Sequence, residues 1–340
     1  MPMTALNRKS GEKTSQSPLD RLQSQLEDDM EAVNAMILAR MDSPVPMIPQ
    51  LAGYLIAAGG KRIRPLMTLA CTALYEGDLL RAHRLATAVE FIHTATLLHD
   101  DVVDDSDERR GQKSANEMFG NEASVLVGDF LFSRAFQLMV EDGNLHVLKV
   151  LSDAAAIIAQ GEVLQLSIQG DLNTTMDQYL DVIKGKTAAL FAAACEVGPL
   201  ISNTDANAAK IACEYGMNLG IAFQIADDVL DYASTSEKIG KAVGDDFREG
   251  KMTAPIIMAL EKANDEERAF WKRTFTDKDQ SDSDLVRATS ILNRHKALEK
   301  AMDLARSYAQ KAREALAEAP DSSIRAILDD LALYTVERES

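Results

Sequence analysis

Two short clusters of aspartate carry the clearest chemical signal in this sequence. Both have the spacing Asp-Asp-x-x-Asp, and both come at the end of an apolar segment with helical periodicity. Their members are Asp100, Asp101 and Asp104 in the first cluster, and Asp227, Asp228 and Asp231 in the second. On a helix, the first and last aspartates of each cluster lie one turn apart on the same face. Oxygen ligands with no His or Cys among them favour Mg²⁺, so the clusters predict two magnesium sites.

An isolated helix would gain nothing from either cluster. Like charges at positions i and i+4 cost on the order of a few tenths of a kcal/mol. Anions near a helix C-terminus also oppose the helix dipole, by ~0.3–1 kcal/mol each. A single cluster could be an exposed acidic helix end, but two clusters with identical spacing are hard to explain in that way. An EF-hand does not fit, because its loop needs alternating oxygen ligands and a central Gly.

Cationic residues close to these clusters indicate that the metal ions would be shared with phosphates. Lys61 and Arg64 follow Gly59-Gly60, and their spacing predicts that they share a helical face. His93 lies two helical turns before Asp100, although a lone His on a helix is more often structural. Further candidates are Arg109 and Arg110, the motif Lys184-Gly185-Lys186-Thr187 with two cations and a hydroxyl, and Lys241 and Lys251 in the Gly-rich stretch after the second cluster. Each could be a solvated surface residue on its own, but together they predict diphosphate binding through metal and through Arg or Lys.

The bulk composition excludes several function classes. The 340 residues carry a formal net charge of −17 and a sequence pI near 4.8, which disfavours nucleic acid and anionic lipid surfaces as partners. Three cysteines without a Cys-x-x-Cys spacing suggest reduced thiols and no zinc site. The sequence shows no signal peptide and no apolar run of ~20 residues, so we expect a soluble, cytoplasmic protein.

Helical periodicity continues along most of the chain and predicts an all-α fold. We expect a flexible tail over residues 1–18 and one all-α domain over residues 19–340, with ten or more helices and roughly 60% helix. The predicted helices include Arg81–Asp105, Asn121–Val140, Leu145–Leu166, Met176–Val197, Asp205–Tyr232 and Thr253–Lys262, besides one after Pro320 capped by Asp321 or Ser322. Polar loops are expected near Gln169–Thr175, Ser234–Lys251 and Thr274–Ser283.

Taken together, these motifs resemble those of the trans-isoprenyl diphosphate synthase family. The resemblance covers about residues 51–260, and two aspartate motifs at this separation are highly specific to the family. The sequences around Glu90–Gly111, Gly128–Met139 and Gly240–Pro255 are most similar to octaprenyl and decaprenyl diphosphate synthases, which supply the ubiquinone side chain. Short-chain members often carry Gly-Lys-Asp where this chain has Gly244-Asp245-Asp246, and long-chain bacterial members share the Gly-Asp-Asp found here.

The resemblance implies a single large helical bundle of the isoprenoid synthase type, with a central active-site cavity, two to three Mg²⁺ ions and assembly as a homodimer. It implies elongation of an allylic diphosphate, such as farnesyl diphosphate, with isopentenyl diphosphate. The six aspartates would bind metal, with Asp101 in a supporting role. The implied contacts to the allylic diphosphate are Arg109, Lys186, Thr187, Gln224 and Lys241, with Lys186, Gln224 and Lys241 as catalytic residues. The implied contacts to isopentenyl diphosphate are Gly60, Lys61, Arg64, His93 and Arg110.

Product length in this family depends on an apolar tunnel beneath the first cluster. Short-chain relatives commonly place an aromatic residue four or five positions before the cluster, where this chain has Thr96 and Ala95. Small residues there predict a tunnel that is open by at least one turn, ~5.4 Å, and therefore a long product. Ile92, Met139 and Leu151 are deeper candidates for the floor, although Met139 and Leu151 are better explained as ordinary core residues.

Three other functions remain possible at this stage besides a shorter-chain synthase. A terpene cyclase also uses an Asp-rich motif and Mg²⁺, but it usually lacks the second identical motif and the Lys61/Arg64 segment. A non-catalytic regulatory subunit predicts damaged aspartate motifs, whereas both motifs are intact here. A purely structural metal-binding bundle predicts Mg²⁺ binding without turnover.

Overall fold

Seventeen α-helices dominate the part of the chain that is described. The structure, a computed structural model, describes residues 16–57, 59–109, 111–233 and 244–337, without the side chains of residues 56 and 57. The helices are α1 (Pro18–Gln25), α2 (Glu27–Arg40), α3 (Met47–Ala57), α4 (Ile63–Leu74), α5 (Leu79–Val103), α6 (Ala115–Phe119), α7 (Asn121–Asp142), α8 (Leu145–Ile168), α9 (Met176–Ile183), α10 (Ala189–Leu200), α11 (Ala206–Ala233), α12 (Asp245–Glu249), α13 (Ala254–Leu260), α14 (Asp265–Trp271), α15 (Asp284–Arg294), α16 (Ala297–Ala315) and α17 (Ser323–Glu337). Two-residue strands β1 (Glu108–Arg109) and β2 (Gln112–Lys113) form a small antiparallel hairpin after α5.

Two buried clusters of apolar side chains hold these helices together. One is built mainly from α1–α5, α7, α8 and α10, and the other from α9, α11 and α13–α16. The two helices that end in aspartate clusters are central: α5 packs along α4 and α7, and α11 packs along α10 and α16. Buried Ala or Leu side chains recur on most turns of both helices, so each helix packs one face into the core for its whole length.

The long predicted helices are confirmed to within a few residues at each end. Local signals explain their ends: the Asp78 side chain accepts N–H bonds at the start of α5, and Gly143 ends α7 with a positive φ of 77°. Ser322 caps α17 as predicted, since its hydroxyl accepts from the Arg325 amide at 3.1 Å. The predicted helix fraction was too low, because the structure is 79% helical.

Three further details differ from the sequence prediction. The helical spacing of Leu22, Leu26, Met30 and Val33 predicts one apolar stripe, but the structure divides it between α1 and α2 at Leu26, which leaves the helical region with φ −119°. The helix predicted over Met176–Val197 contains a π-helical segment at Lys184–Ala188. Backbone hydrogen bonds there join residues five positions apart, so the turn holds one residue more than an α-helical turn. The loop predicted over Ser234–Lys251 contains α12, although residues 234–243 lie outside the described residues.

The first fifteen residues of the predicted tail also lie outside the described residues. Within the described part, α1 already begins at Pro18, where the Ser17 hydroxyl accepts an N–H bond from Asp20 at 3.1 Å. A single all-α domain from residue 19 onward therefore stays a prediction.

Among the described helices, α7 alone is long and apolar enough to cross a bilayer by composition. About 44% of its most apolar window is buried inside the protein, where it packs against α5. The opposite face of α7 exposes apolar side chains, including Leu126 and Val140 at 66% and 65% exposure.

Candidate active site

A cavity of about 820 Å³ lies between α5, α8, α10 and α11. It is lined by residues from both aspartate clusters and by most of the predicted cations. The predicted residues that line it are Gly60, Lys61, Arg64, His93, Thr96, Asp100, Asp104, Arg109, Lys186, Thr187, Gln224, Asp227, Asp228 and Asp231. Residues far apart in sequence therefore meet at one place, as a site built from two facing helices requires. Arg110 and Lys241 lie outside the described residues.

The three aspartates of the first cluster occupy different environments. Asp100 lies in the last turns of α5 and Asp104 forms its C-cap, and both face the cavity. Asp101 points away from the cavity and is 1% exposed. Its carboxylate accepts bonds from the Arg109 guanidinium at 2.8 and 2.5 Å. Asp101 thus secures the β-hairpin that carries Arg109 to the cavity wall.

Lys186 reaches the first cluster from the π-helical segment. Its ammonium lies 2.7 Å from the Glu162 carboxylate and 3.7 Å from Asp100. Two glycines permit this approach, since a Cβ on Gly161 would lie 2.6 Å from the Lys186 amide and one on Gly185 would lie 3.0 Å from Gly161 Cα. Only glycine allows α8 and the π segment to touch backbone to backbone. The cation is therefore placed by main-chain packing.

The second cluster is linked to a chain of hydrogen bonds. The Thr187 hydroxyl donates to the Gln224 side-chain carbonyl at 2.7 Å, and the Gln224 amide donates to Asp228 at 2.7 Å. The Tyr179 hydroxyl donates to the other Asp228 oxygen at 2.5 Å. Burial raises the pKa of Asp228 to about 7, although these two donors oppose the increase. Asp228 thereby orients the Gln224 side chain.

Asp231 has a structural task in addition to its place on the cavity wall. Its carboxylate accepts bonds from the backbone amides of Gly244, Asp245 and Asp246, each at 3.2 Å. These amides form the N-terminus of α12, where a negative charge is favourable. Asp227 is the exposed member of the second cluster and faces the cavity.

The opposite end of the cavity contains a cluster of cationic and aromatic side chains. Arg64 lies 3.1 Å from His93 and its guanidinium is 4.6 Å above the ring of Phe191. Lys61 is exposed and precedes α4, which begins at Ile63. The prediction that Lys61 and Arg64 share a helical face was therefore wrong, because α4 begins only at Ile63 and Lys61 lies outside it.

The charge balance of this cavity favours divalent cations. Among the described residues that line it, acidic side chains outnumber Lys and Arg by eleven to six. Lys251 lies 3.3 Å from Asp104, so each aspartate of the first cluster that faces the cavity has one nearby lysine. Burial raises the pKa of Asp100, and the nearby Lys186 opposes this increase only in part. The charged form of Asp100 therefore needs further cations to stabilise it. Without such cations, the negative charge of the cavity would repel an anionic ligand.

The donor set fits Mg²⁺ in the manner usual for phosphate enzymes. Within the described ranges, no three His, Cys, Asp or Glu side chains come close enough to enclose an ion by themselves. Mg²⁺ commonly binds one or two carboxylates and completes its shell with water and substrate phosphates. Asp100 and Asp104 on one wall and Asp227 on the other can serve ions of that kind.

The predicted floor residues divide between the cavity wall and the buried core. Thr96 lines the cavity wall, and its hydroxyl donates to the His93 carbonyl at 2.8 Å. Ala95, Ile92, Met139 and Leu151 are buried with at most 1% exposure and are not on the cavity wall. Their effect on product length stays a prediction.

Several residues of the site were not predicted from the sequence. Glu162 and Tyr179 contact Lys186 and Asp228, and burial raises the pKa of Glu162 to about 7. Asp246 and Glu249 come from the segment after the second cluster, beside the predicted candidate Lys251. Lys251 stood out in sequence only as one of two cations in a Gly-rich stretch. No motif marks Glu162 or Tyr179, since their roles arise from packing between helices.

The family of this chain follows from comparison with known proteins. The profile described as "Polyprenyl synthetase" matches residues 45–292. The chain belongs to this family. It is 44% identical to octaprenyl diphosphate synthase from Escherichia coli over 324 residues, which cover 94% of this chain and 99% of that one. The polyprenyl synthetase family therefore accounts for both aspartate motifs and for the all-α fold.

Solved structures agree with this assignment. A decaprenyl diphosphate synthase from Rhodobacter capsulatus is 52% identical, with a TM-score of 0.90 over 95% of this chain and 100% of that chain. A polyprenyl synthase from Caulobacter crescentus, complexed with calcium and isoprenyl diphosphate, is 49% identical, with a TM-score of 0.92 over 95% and 98% of the two chains. The protein is a prenyltransferase, a long-chain trans-polyprenyl diphosphate synthase with the all-α isoprenoid synthase fold.

Proposed function

We propose that this polyprenyl synthetase makes octaprenyl or decaprenyl diphosphate by repeated condensation of isopentenyl diphosphate with an allylic diphosphate, for the ubiquinone side chain. The observation that carries the proposal is the meeting of both aspartate motifs with Lys186, Lys61 and Arg64 around one cavity. The calcium and isoprenyl diphosphate bound by the Caulobacter crescentus relative support a metal–diphosphate site of this kind.

We assign the two ends of the cavity to the two substrates. The allylic diphosphate would bind between the aspartate clusters, beside Arg109, Lys186, Thr187, Gln224 and, by resemblance, Lys241. Isopentenyl diphosphate would bind at the cationic end, beside Lys61, Arg64, His93 and, by resemblance, Arg110. Guanidinium and ammonium groups at both ends suit diphosphate oxygens.

The residues present explain how the reaction would proceed. Mg²⁺, two to three ions by resemblance, would bind Asp100, Asp104 and Asp227 and stabilise the charge on the departing diphosphate. Lys186 would donate to the same leaving group as the allylic C–O bond breaks with its electron pair on oxygen. Lys61 and Arg64 would hold isopentenyl diphosphate with its double bond toward the allylic carbon. The released diphosphate would accept the lost proton, so no side chain acts as a nucleophile.

Product analysis tests this function directly. Purified protein incubated with Mg²⁺, farnesyl diphosphate and isopentenyl diphosphate is expected to yield an octaprenyl or decaprenyl product by mass spectrometry. Removing divalent cations with EDTA should abolish turnover, because the acidic cavity then repels both diphosphates. A geranylgeranyl product would assign a shorter-chain synthase. Consumption of the allylic substrate alone would indicate a cyclase, and no reaction with several primers would reject the proposal.

We also propose that two copies associate through the exposed face of α7. Val125, Phe136 and Val140 lie at spacings that place them on one face, and they are 38%, 42% and 65% exposed. Contiguous exposed apolar side chains commonly mark protein interfaces.

The three free cysteines fit the reducing cytoplasm that we propose as the location.

Light scattering tests the homodimer. The protein is expected to have twice the chain mass at micromolar concentration, and Phe136→Glu is expected to give monomers because a charge would be buried in the interface. Val286→Glu provides a matched control, since Val286 is 74% exposed on α15, away from α7. A monomeric parent protein, or a dimer unaffected by Phe136→Glu, would argue against the α7 interface.

A further inference from the structure

Arg62 has a strained backbone at the cationic end of the cavity. Its φ and ψ are 49° and 36°, and it forms the N-cap of α4 without a side-chain cap bond. The left-handed conformation costs a residue other than glycine about 1 kcal/mol. Strain of this kind persists only where surrounding contacts require it. Lys61 lies before α4 and Arg64 lies in its first turn, so the left-handed residue sets how the two are placed.

The contact that holds this turn is an ion pair with α5. The Arg62 guanidinium pairs with the Glu90 carboxylate, and the two side chains are 17% and 7% exposed. One helical turn further along α5, His93 contacts Arg64 at 3.1 Å. Two successive turns of α5 thus engage the Arg62–Arg64 segment. Because a buried charge without its partner is strongly unfavourable, Arg62 and Glu90 depend on each other.

We propose that Arg62 and Glu90 are positioning residues for isopentenyl diphosphate, because their ion pair holds the left-handed turn that brings Lys61 and Arg64 together. This inference rests on the proposed function of the cavity. Arg62 acts through the turn and does not bind the substrate. A phosphate on its guanidinium would have to compete with Glu90 and leave that carboxylate unpaired in a buried place.

Steady-state kinetics of Glu90→Gln test the proposal. Glutamine keeps the shape of the side chain and removes the charge that holds Arg62. We expect the KM for isopentenyl diphosphate to rise about tenfold, corresponding to ~1.4 kcal/mol. The KM for farnesyl diphosphate and kcat at saturation should stay within about twofold, since the aspartate clusters are untouched.

Asp142→Asn provides a matched control for general damage to a buried ion pair. Asp142, the last residue of α7, has a fully buried side chain and accepts two bonds at 2.9 and 2.8 Å from Arg81, which lies on α5 like Glu90. It does not line the cavity. We expect this variant to lower the unfolding midpoint in urea and to leave both KM values unchanged.

A rescue variant separates positioning of the turn from direct binding by Arg62. In Arg62→Gly/Glu90→Gln, glycine adopts the left-handed turn without strain and no unpaired charge remains. We expect its KM for isopentenyl diphosphate to return to within about threefold of the parent value. Failure of the rescue in a folded double variant would assign substrate binding to Arg62 itself and overturn the proposal.

Two other results would also overturn the inference. One is an unchanged KM for isopentenyl diphosphate in folded Glu90→Gln, and the other is an equal rise of both KM values, as a purely structural role predicts. Because the parent protein is assayed in the same series, absence of its turnover would reject the proposed function instead. If Glu90→Gln does not fold, the comparison rests on the double variant alone, which retains no buried unpaired charge.

Discussion

Replacing Asp100 with Asn is expected to lower kcat/KM by ~10³-fold, or ~4 kcal/mol of transition-state stabilisation. Asp100 faces the cavity from the end of α5, 3.7 Å from Lys186. Asparagine keeps the size and one oxygen of the side chain but removes the charge that a divalent cation requires. The loss should be largest at low Mg²⁺, and a series of Mg²⁺ concentrations at fixed substrate would measure it.

Asp105→Asn is the matched control for this variant. Asp105 follows the first cluster directly, is exposed, and is not on the cavity wall. Its φ of 49° is a conformation that Asn adopts readily, so the substitution should not disturb the backbone. We expect parental activity from it. Equal losses in the two variants would mean that net charge, and not metal binding by Asp100, determines the rate.

The long helices were predictable from sequence because each buries an apolar face for several turns. The spacing within α5 and α11 also fixes which aspartates share a face, so two acidic helix ends could be predicted without tertiary information. That the two ends meet at one cavity was implied only by the family resemblance. Local periodicity does not reveal the π-helical segment at Lys184–Ala188, where Gly185 contacts the backbone of Gly161 on another helix. Lys186 therefore stood out in sequence only through its motif.

The two aspartate motifs are identical in sequence and different in structure. Asp101 holds Arg109, whereas its counterpart Asp228 orients Gln224. Asp231 accepts three amide bonds from the start of α12, whereas Asp104 lies 3.3 Å from Lys251. These partners come from other segments of the chain. Sequence spacing could identify the residues of the site, but it could not divide them into those facing the cavity and those that support their neighbours.

The second large effect is expected from Ala95→Phe, which should shorten the product by several isoprene units. Ala95 lies five residues before Asp100 on α5, with no exposed surface, beneath the cavity wall formed by Thr96. A growing chain that leaves the cavity downward along α5 would meet the new ring about one turn below the metal site. Mass spectrometry of products made from farnesyl diphosphate and isopentenyl diphosphate measures the change.

Overpacking alone must be separated from a blocked tunnel, because inserting a ring into a packed core costs ~1–3 kcal/mol. Ala86→Phe is the control: Ala86 is equally buried on α5, and a separation of nine residues places it on the opposite face from Ala95. It should lose similar stability in urea and keep the parental product length. Thr96→Phe puts the ring on the cavity wall itself and should also shorten the product. Full-length product from folded Ala95→Phe would mean that the chain grows in another direction, past a different face of α5.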